Sequence, residues 1–436
     1  MKITDNPIRR NECDVFVIGG GPAGTTIATL LAERGLDVAL AEKDTHPRFH
    51  IGESLLPMNL ELFEKLGVLD QIKAIGMRKP GVEFTSPAHE HPVTLNFSDA
   101  WDKTYPHAYQ VLRSEFDKIL FDRCVASGAR AMQACRVARV GFDPEDGVSV
   151  TTLDENGERQ WKARYVVDAS GRDTFLGNRL TIKRRNRKHA SAALYCHFEG
   201  ARRLPGEAQG NISIFWFKHG WFWFIPLQND LNSVGVVCSP EYLRTRQTAP
   251  REFLLQTIAL CPALQDRLKE ARLATEVSAT GNYSYDSTQM TGDRYLMIGD
   301  AYAFVDPVFS SGVYLAMRSA FLGADLVEAS LRDPATAARA TRRYHKAVNH
   351  GLRQFSWFIY RMTRPAMRNL FMAPRNIFRV QEALLSLLAG DLFGKTPIYP
   401  SLFAFKVLYS LSSALEPRAN FRAWRARRHA LRASHS

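Results

Sequence analysis

The segment from Asp14 to Glu42 constrains the fold more than any other part of the chain. Asp14–Ile18 (DVFVI) reads as a short apolar strand and Gly19–Gly24 as a turn. Thr25–Arg34 follows as a helix stopped by Gly35, and Val38–Ala41 as a second strand ending at Glu42. Strand, turn, helix and strand within about thirty residues make the βαβ opening of a parallel sheet. In such a unit Gly19 permits the tight turn and Gly21 lets backbone approach a pyrophosphate, while Gly24 lets the helix pack close to the sheet. Pro22 and Ala23 lie in the turn and are expected at the cofactor, and the helix N-terminus offers free N–H groups to phosphate. Glu42 falls 18 residues after Gly24, where a carboxylate can take both ribose hydroxyls of a dinucleotide. The glycine spacing alone is a weak signal, and a turn without ligand is the alternative.

Downstream segments extend the same layer. A helical run at Asn59–Lys73, a helix at Ser114–Ala126 and the strand Tyr165–Val167 fit it, as does Tyr295–Ile298 before a long helix from Gly312 to about Leu331. Ala192–Glu199, Asn211–Phe217, Trp221–Leu227 and Ser233–Cys238 have a different texture: short, aromatic or β-branched, with turn signals at Lys218-His219-Gly220 and Asn229-Asp230. The expected architecture is α/β. Residues 1–78, 102–182 and 283–331 would form a Rossmann-like parallel sheet, and 79–101 with 183–282 an inserted antiparallel-sheet substrate domain. Residues 332–436 would form a helical C-terminal region ending in a basic tail.

A chain of 436 residues can hold two or three domains at about 100–200 residues each. Its 45% hydrophobic and 23% charged content is ordinary for a globular protein, but a net charge of +13 is not. Part of that charge lies between Arg418 and Ser436, where six arginines stand without a carboxylate. Such a tail is either solvated and self-repelling or a contact for an acidic protein, an anionic membrane surface or nucleic acid. No helix-turn-helix, zinc finger or aromatic RNA-binding motif accompanies it, so no nucleic-acid partner is expected. Cys13, Cys124, Cys135, Cys196, Cys238 and Cys261 include no CxxC pair, which argues against a metal site and a disulfide scaffold. Met1–Asp14 lacks an apolar signal core, and the most apolar stretch, Ile398–Leu415, contains Pro400 and Lys406. A cytoplasmic protein without a transmembrane span, with at most peripheral membrane contact, is expected.

Two distant segments bear on what the glycine turn binds. Val166–Gly171 (VVDASG) and Ile298-Gly299-Asp300-Ala301 are both apolar strands running into small-residue turns. With the turn, they resemble the two-dinucleotide-binding flavoproteins built like p-hydroxybenzoate hydroxylase. That resemblance implies FAD as cofactor, with Asp300 on a ribitol hydroxyl. It also makes Arg113, within Val111-Leu112-Arg113-Ser114-x-Phe116-Asp117, a cofactor contact. Lys43, Arg48, Ser54 and Gly312 are expected around the same molecule. A flavin fold does not by itself name the reaction.

Three further segments resemble the flavin-dependent halogenases. Trp221–Pro226 (WFWFIP) matches the family's W-x-W-x-I-P signature, and strand alternation puts Trp221 and Trp223 on one face. The resemblance makes Trp221, Trp223, Ile225 and Pro226 a shield keeping organic substrate from the flavin; the hexapeptide alone is also compatible with indoles filling a sheet core. Gly76–Phe84 (GMRKPGVEF) is similar to the stretch carrying the halogenase active-site lysine, which makes Lys79 the catalytic residue. Without the family it reads as a surface charge beside Arg78. Phe304-x-x-Pro307-x-x-Ser310-x-Gly312 matches the halide segment, which implies that Pro307, Ser310, Ser311 and Gly312 hold the halide, with backbone N–H groups. Read alone, it is a helix-entry turn. His50–Pro57 (HIGESLLP) resembles the strap that crosses the flavin.

The chemistry so implied is FADH2-dependent halogenation. The chain shows no second nucleotide fingerprint, so a separate flavin reductase is expected to supply FADH2. With O2 this forms a C4a-hydroperoxide, chloride or bromide takes the terminal oxygen, and hypohalous acid passes by way of Lys79 to an electron-rich aromatic small molecule. Burial would lower the pKa of the lysine into a useful range. Tryptophan halogenases carry a glutamate just before the Ser-x-Gly segment, where this chain has Phe309. Phe358–Arg361 and Leu388–Asp391 resemble instead the phenol and pyrrole halogenases, several of which act on acyl groups held by an acyl carrier protein. Such a carrier is acidic, and the +13 charge would suit it. The competing readings are an aromatic monooxygenase on the same fold, a geranylgeranyl-reductase-like enzyme acting on isoprenoid double bonds, and a flavin-binding scaffold without catalysis.

Overall fold

The computed structural model describes residues 11–186, 191–281 and 284–415; the first ten residues and the arginine-rich stretch from Arg418 lie outside the described residues. The βαβ opening forms as Glu12–Ile18, Pro22–Glu33 and Val38–Ala41. Val15, Phe16 and Val17 are fully buried, as a strand covered on both faces requires. Five parallel strands run in the order Tyr295–Met297, Gly157–Asp168, Glu12–Ile18, Val38–Ala41 and Arg130–Met132. Antiparallel strands Arg136–Asp143, Gly147–Asp154 and Thr291–Gly292 extend this sheet. Helices Pro22–Glu33 and Gly312–Arg332 pack against each other. The parallel strands end at Ile18, Ala41, Asp168 and Met297, so one edge gathers the segments that follow them.

A second sheet has the order Arg272–Leu273, Ala192–Glu199, Leu231–Cys238, Gly220–Pro226, Ile212–Phe217, Gly81–Thr85 and Val93–Asn96, with Ser278–Gly281 also paired to Ala192–Glu199. It is antiparallel except at one pair, where Gly81–Thr85 runs parallel to Ile212–Phe217. The sheet is thus the antiparallel one expected, with one parallel pair that sequence did not reveal because the two strands lie far apart in the chain. The helical run at Asn59–Lys73 divides into Asn59–Leu66 and Leu69–Ile75 at Gly67, whose φ of +70° ends the first helix.

After Gly312–Arg332 the chain is helical: Pro334–Ile359, Pro365–Met372, Val380–Ala389 and Tyr399–Leu415. Two of these cover the strand segment that follows Lys79. Phe371 meets Phe84 edge-on at 5.0 Å, and Ser386 Oγ accepts the Trp101 N–H at 2.9 Å. No helix among the described residues is long and apolar enough to cross a membrane. All six cysteines are buried and unpaired. Burial pushes the thiols of Cys13, Cys124, Cys196 and Cys238 up to about 12, so they act as small hydrophobes.

Candidate active site

A cavity of about 590 Å³ opens where the parallel strands end. One wall is the glycine turn. Gly19 takes φ +98°, and a Cβ there would lie 2.5 Å from the Ala169 carbonyl oxygen. Gly24 faces away from the cavity, and a Cβ on it would sit 1.9 Å from Gly19 O. Gly19, Gly21, Pro22 and Ala23 line the space. Gly21 caps the helix in extended backbone without a side-chain bond, which leaves first-turn N–H groups without partners.

Glu42 stands beside this turn, 4% exposed, with Oε2 accepting the Gly20 N–H at 2.7 Å and Oε1 the Asp44 N–H at 2.9 Å. Arg48 reaches Glu42 at 3.5 Å and Asp117 at 3.6 Å. Lys43 borders the cavity and pairs with Asp173 across it. Arg113 forks onto Asp117 at 2.8 and 2.9 Å, while its Nη1 donates to Ile51 O at 2.6 Å. Arg113 thereby ties the strap to the helix Arg113–Ala126. The strap is held from its other side by Leu55 N–H to Tyr109 O and Val111 N–H to Glu53 O.

The opposite wall comes from the second sheet and the helix entry. Alternation in Gly220–Pro226 sends Trp221, Trp223 and Ile225 into the cavity wall and Phe222 and Phe224 into a separate core. Pro226 is buried but does not reach the cavity. Trp223 lies flat over Gly235 and donates its Nε1–H to Ser233 Oγ at 3.2 Å. Pro307, Ser310 and Gly312 line the cavity, whereas Ser311 borders a small neighbouring one with Asp300 and Gly312. Ser310 takes φ +56°, a left-handed conformation that a serine adopts at a cost. Asp300 lines both spaces and forms no side-chain hydrogen bond or ion pair among the described residues; burial pushes its carboxyl up to about 7.

Lys79 is neither a surface charge nor part of the cavity wall. It ends the strand Met77–Lys79 and is 2% exposed, while its neighbour Arg78 is exposed. Its Nζ donates to Ser54 Oγ and Leu55 O, both at 2.9 Å, and lies 5.4 Å from the Phe97 ring. Burial with no carboxylate partner lowers its pKa from 10.5 to about 7. Ser54 lines the cavity, so it stands between that space and the lysine.

Residues 12–349 match the family model described as an FAD binding domain. The chain is 32% identical over 374 residues to the flavin-dependent halogenase gsfI of Penicillium aethiopicum, across 79% of this chain and 69% of that one. It is 30% identical over 408 residues to a 1H-pyrrole-2-carbonyl peptidyl-carrier-protein chlorinase of Pseudomonas fluorescens, across 88% and 90% respectively. The chain belongs to the flavin-dependent halogenases. A solved relative, the myxobacterial chondrochloren halogenase CndH, superposes with a TM-score of 0.77 at 33% identity, over 92% of this chain and 96% of that one.

FAD is the halogenase's cofactor, used reduced with halide and O2. The cavity fits it: a turn with no room for a Cβ at Gly19, Gly20 or Gly24, a helix N-terminus with free N–H groups, an amide-held carboxylate at Glu42 and one at Asp300 without a side-chain partner among the described residues. Phe309, just before Ser310, is buried and stacks on Phe371 at 6.1 Å.

Sequence reasoning missed two polar features of the site. Glu53 lines the cavity and its Oε1 lies 2.8 Å from His197 Nε2, 144 residues away. Burial disfavours the imidazolium, but the hydrogen bond and charge of Glu53 outweigh it and raise the His197 pKa above 6.5. This pair contributes stability that is full below the unfolded pKa of about 6.5 and is lost as pH rises through the higher folded value. Glu53→Gln is therefore expected to lower the Tm most in mildly acidic solution and least above that folded value. Thermal unfolding of both proteins across that range measures it. Asn211, the chain neighbour of cavity-lining Ile212, is the second: 1% exposed, it has neither amide atom hydrogen-bonded among the described residues. Nothing in the local sequence marks it.

Proposed function

We propose that the halogenase forms hypohalous acid beside the helix entry at Pro307–Gly312 and passes it to Lys79, which halogenates a phenol- or pyrrole-type ring. Reduced FAD with O2 supplies the oxidising equivalent when bound. In this reading Gly19, Gly21, Pro22, Ala23, Glu42, Lys43, Arg48, Ser54, Arg113, Asp300 and Gly312 hold the cofactor, and Gly24 makes the turn possible. The backbone N–H groups at Ser311 and Gly312 attract the halide, because a helix N-terminus favours an anion. Trp221, Trp223 and Ile225 keep the aromatic substrate and bulk water from this end, and Pro226 buttresses them.

The observation that carries the reading is the Lys79 amine, titrating near 7 and one hydrogen bond behind the cavity-lining Ser54. As ammonium it can hydrogen-bond hypohalous acid; as free amine it can itself be halogenated. An apolar Phe309 favours a ring activated by its own oxygen or nitrogen. The carrier-protein chlorinase relative supports a carrier-tethered form of such a ring. A separate flavin reductase belongs to the same reading, as do the three-part domain boundaries drawn from the sequence.

Incubation with FAD, a flavin reductase, NADH and bromide against free phenols, free pyrroles and their carrier-bound thioesters tests the substrate class. The expected result is a bromine isotope pattern on a phenol or pyrrole, free or tethered; bromination of tryptophan alone would overturn it. Trp223→Ala is expected to keep FAD bound while the halogenated fraction of consumed reductant falls roughly ten-fold, because water gains access. Peroxide and product measured together check this.

A further inference from the structure

The chain's excess positive charge is concentrated at one end. Residues 334–436 hold 18 lysines and arginines against 3 carboxylates, whereas residues 1–333 hold 39 against 41. The last described helix, Tyr399–Leu415, crosses this basic region with two unlike faces. Leu402, Phe405 and Tyr409 are buried against the protein. Phe403, Val407, Leu411 and Leu415 recur every four residues and are 69%, 42%, 58% and 84% exposed. Four-residue spacing makes them one stripe along the helix. The segment Ile377–Arg379 packs beside that helix, and there Phe378 is 73% exposed in left-handed backbone at φ +53°. A phenylalanine held in that conformation and turned to solvent gains nothing from the fold around it.

Charge chooses among the surfaces that could cover this ridge. A second copy of the chain would bring two basic regions together. The segment after Leu415, with its six arginines, would meet a surface already basic. An acidic protein would satisfy the charge, but the ridge is a row of protruding, exposed side chains rather than a groove that would seat a partner's side chains. An anionic bilayer satisfies both properties: protruding apolar groups enter the headgroup–acyl boundary and the surrounding cations meet the lipid phosphates.

We propose that the outward face of Tyr399–Leu415, with Phe378 beside it, docks the enzyme peripherally on an anionic lipid surface. The proposal is independent of the substrate and of Lys79. The full chain, loaded with FAD, is sedimented with phosphatidylcholine vesicles and with vesicles half phosphatidylglycerol. Binding is expected to be at least about ten-fold tighter to the anionic vesicles and to weaken as salt is raised. Phe403→Asp with Leu411→Asp is expected to reduce vesicle binding about ten-fold while FAD content and turnover of a free substrate stay unchanged. Equal or absent binding to both vesicles would overturn the proposal. So would a dimer in light scattering that Leu411→Asp dissolves, or saturable binding of an acidic acyl carrier protein that the same substitutions abolish while vesicle binding survives.

Discussion

Lys79→Met is expected to bind FAD as the parent does and to halogenate about a hundred- to ten-thousand-fold more slowly, the range typical of removing a group that handles the reacting species. FAD should be unaffected because Lys79 does not line the cavity. Methionine is flexible and close enough in size to fill the space left by a buried unbranched chain. The substitution also predicts a pH signature. The amine titrates near 7 folded and near 10.5 unfolded, so between those values the unfolded chain binds more protons and parent stability rises with pH. Lys79→Met lacks this dependence. It is expected to exceed the parent by a few kcal/mol near neutrality and to lose that advantage as pH approaches about 10. Urea titrations of both proteins at the two ends of the window measure the difference. A variant that halogenates as well as the parent would remove Lys79 from the mechanism.

Gly24→Ala is expected to abolish stoichiometric FAD binding. Inside a helix, alanine normally improves on glycine by about 1 kcal/mol. Here its methyl would sit 1.9 Å from Gly19 O, and both partners are backbone, so the turn or the helix must move. Such overpacking costs about 1–3 kcal/mol or more and displaces the helix N–H groups proposed to hold the pyrophosphate. Flavin absorbance per chain after reconstitution, together with the Tm, checks both effects. A full complement of FAD at unchanged Tm would contradict the turn geometry.

The parts of the site that could be read from sequence were local ones. The glycine turn and Glu42 share one βαβ unit, and Trp221 and Trp223 share one strand, so their spacing carried their geometry. Lys79 was legible only through family resemblance, since next to Arg78 its sequence says surface, and its burial comes with contacts to the strap at Ser54 and Leu55 and to Phe97. Glu53–His197 and Asn211 were not legible at all. The first depends on how the second sheet docks on the strap, which no periodicity encodes. The parallel pairing of Gly81–Thr85 with Ile212–Phe217 escaped for the same reason, being a contact between segments more than a hundred residues apart.

The central claim is that oxidising equivalents reach halide before they reach an organic substrate. Its most direct measurement follows the fate of reductant with bromide present and absent, using the protein alone with NADPH and the protein with an added flavin reductase. The expected result is negligible NADPH oxidation by the protein alone and, with the reductase, brominated product that disappears when bromide is withheld. NADPH oxidation by the protein alone, yielding hydroxylated aromatic whether or not bromide is present, would contradict it.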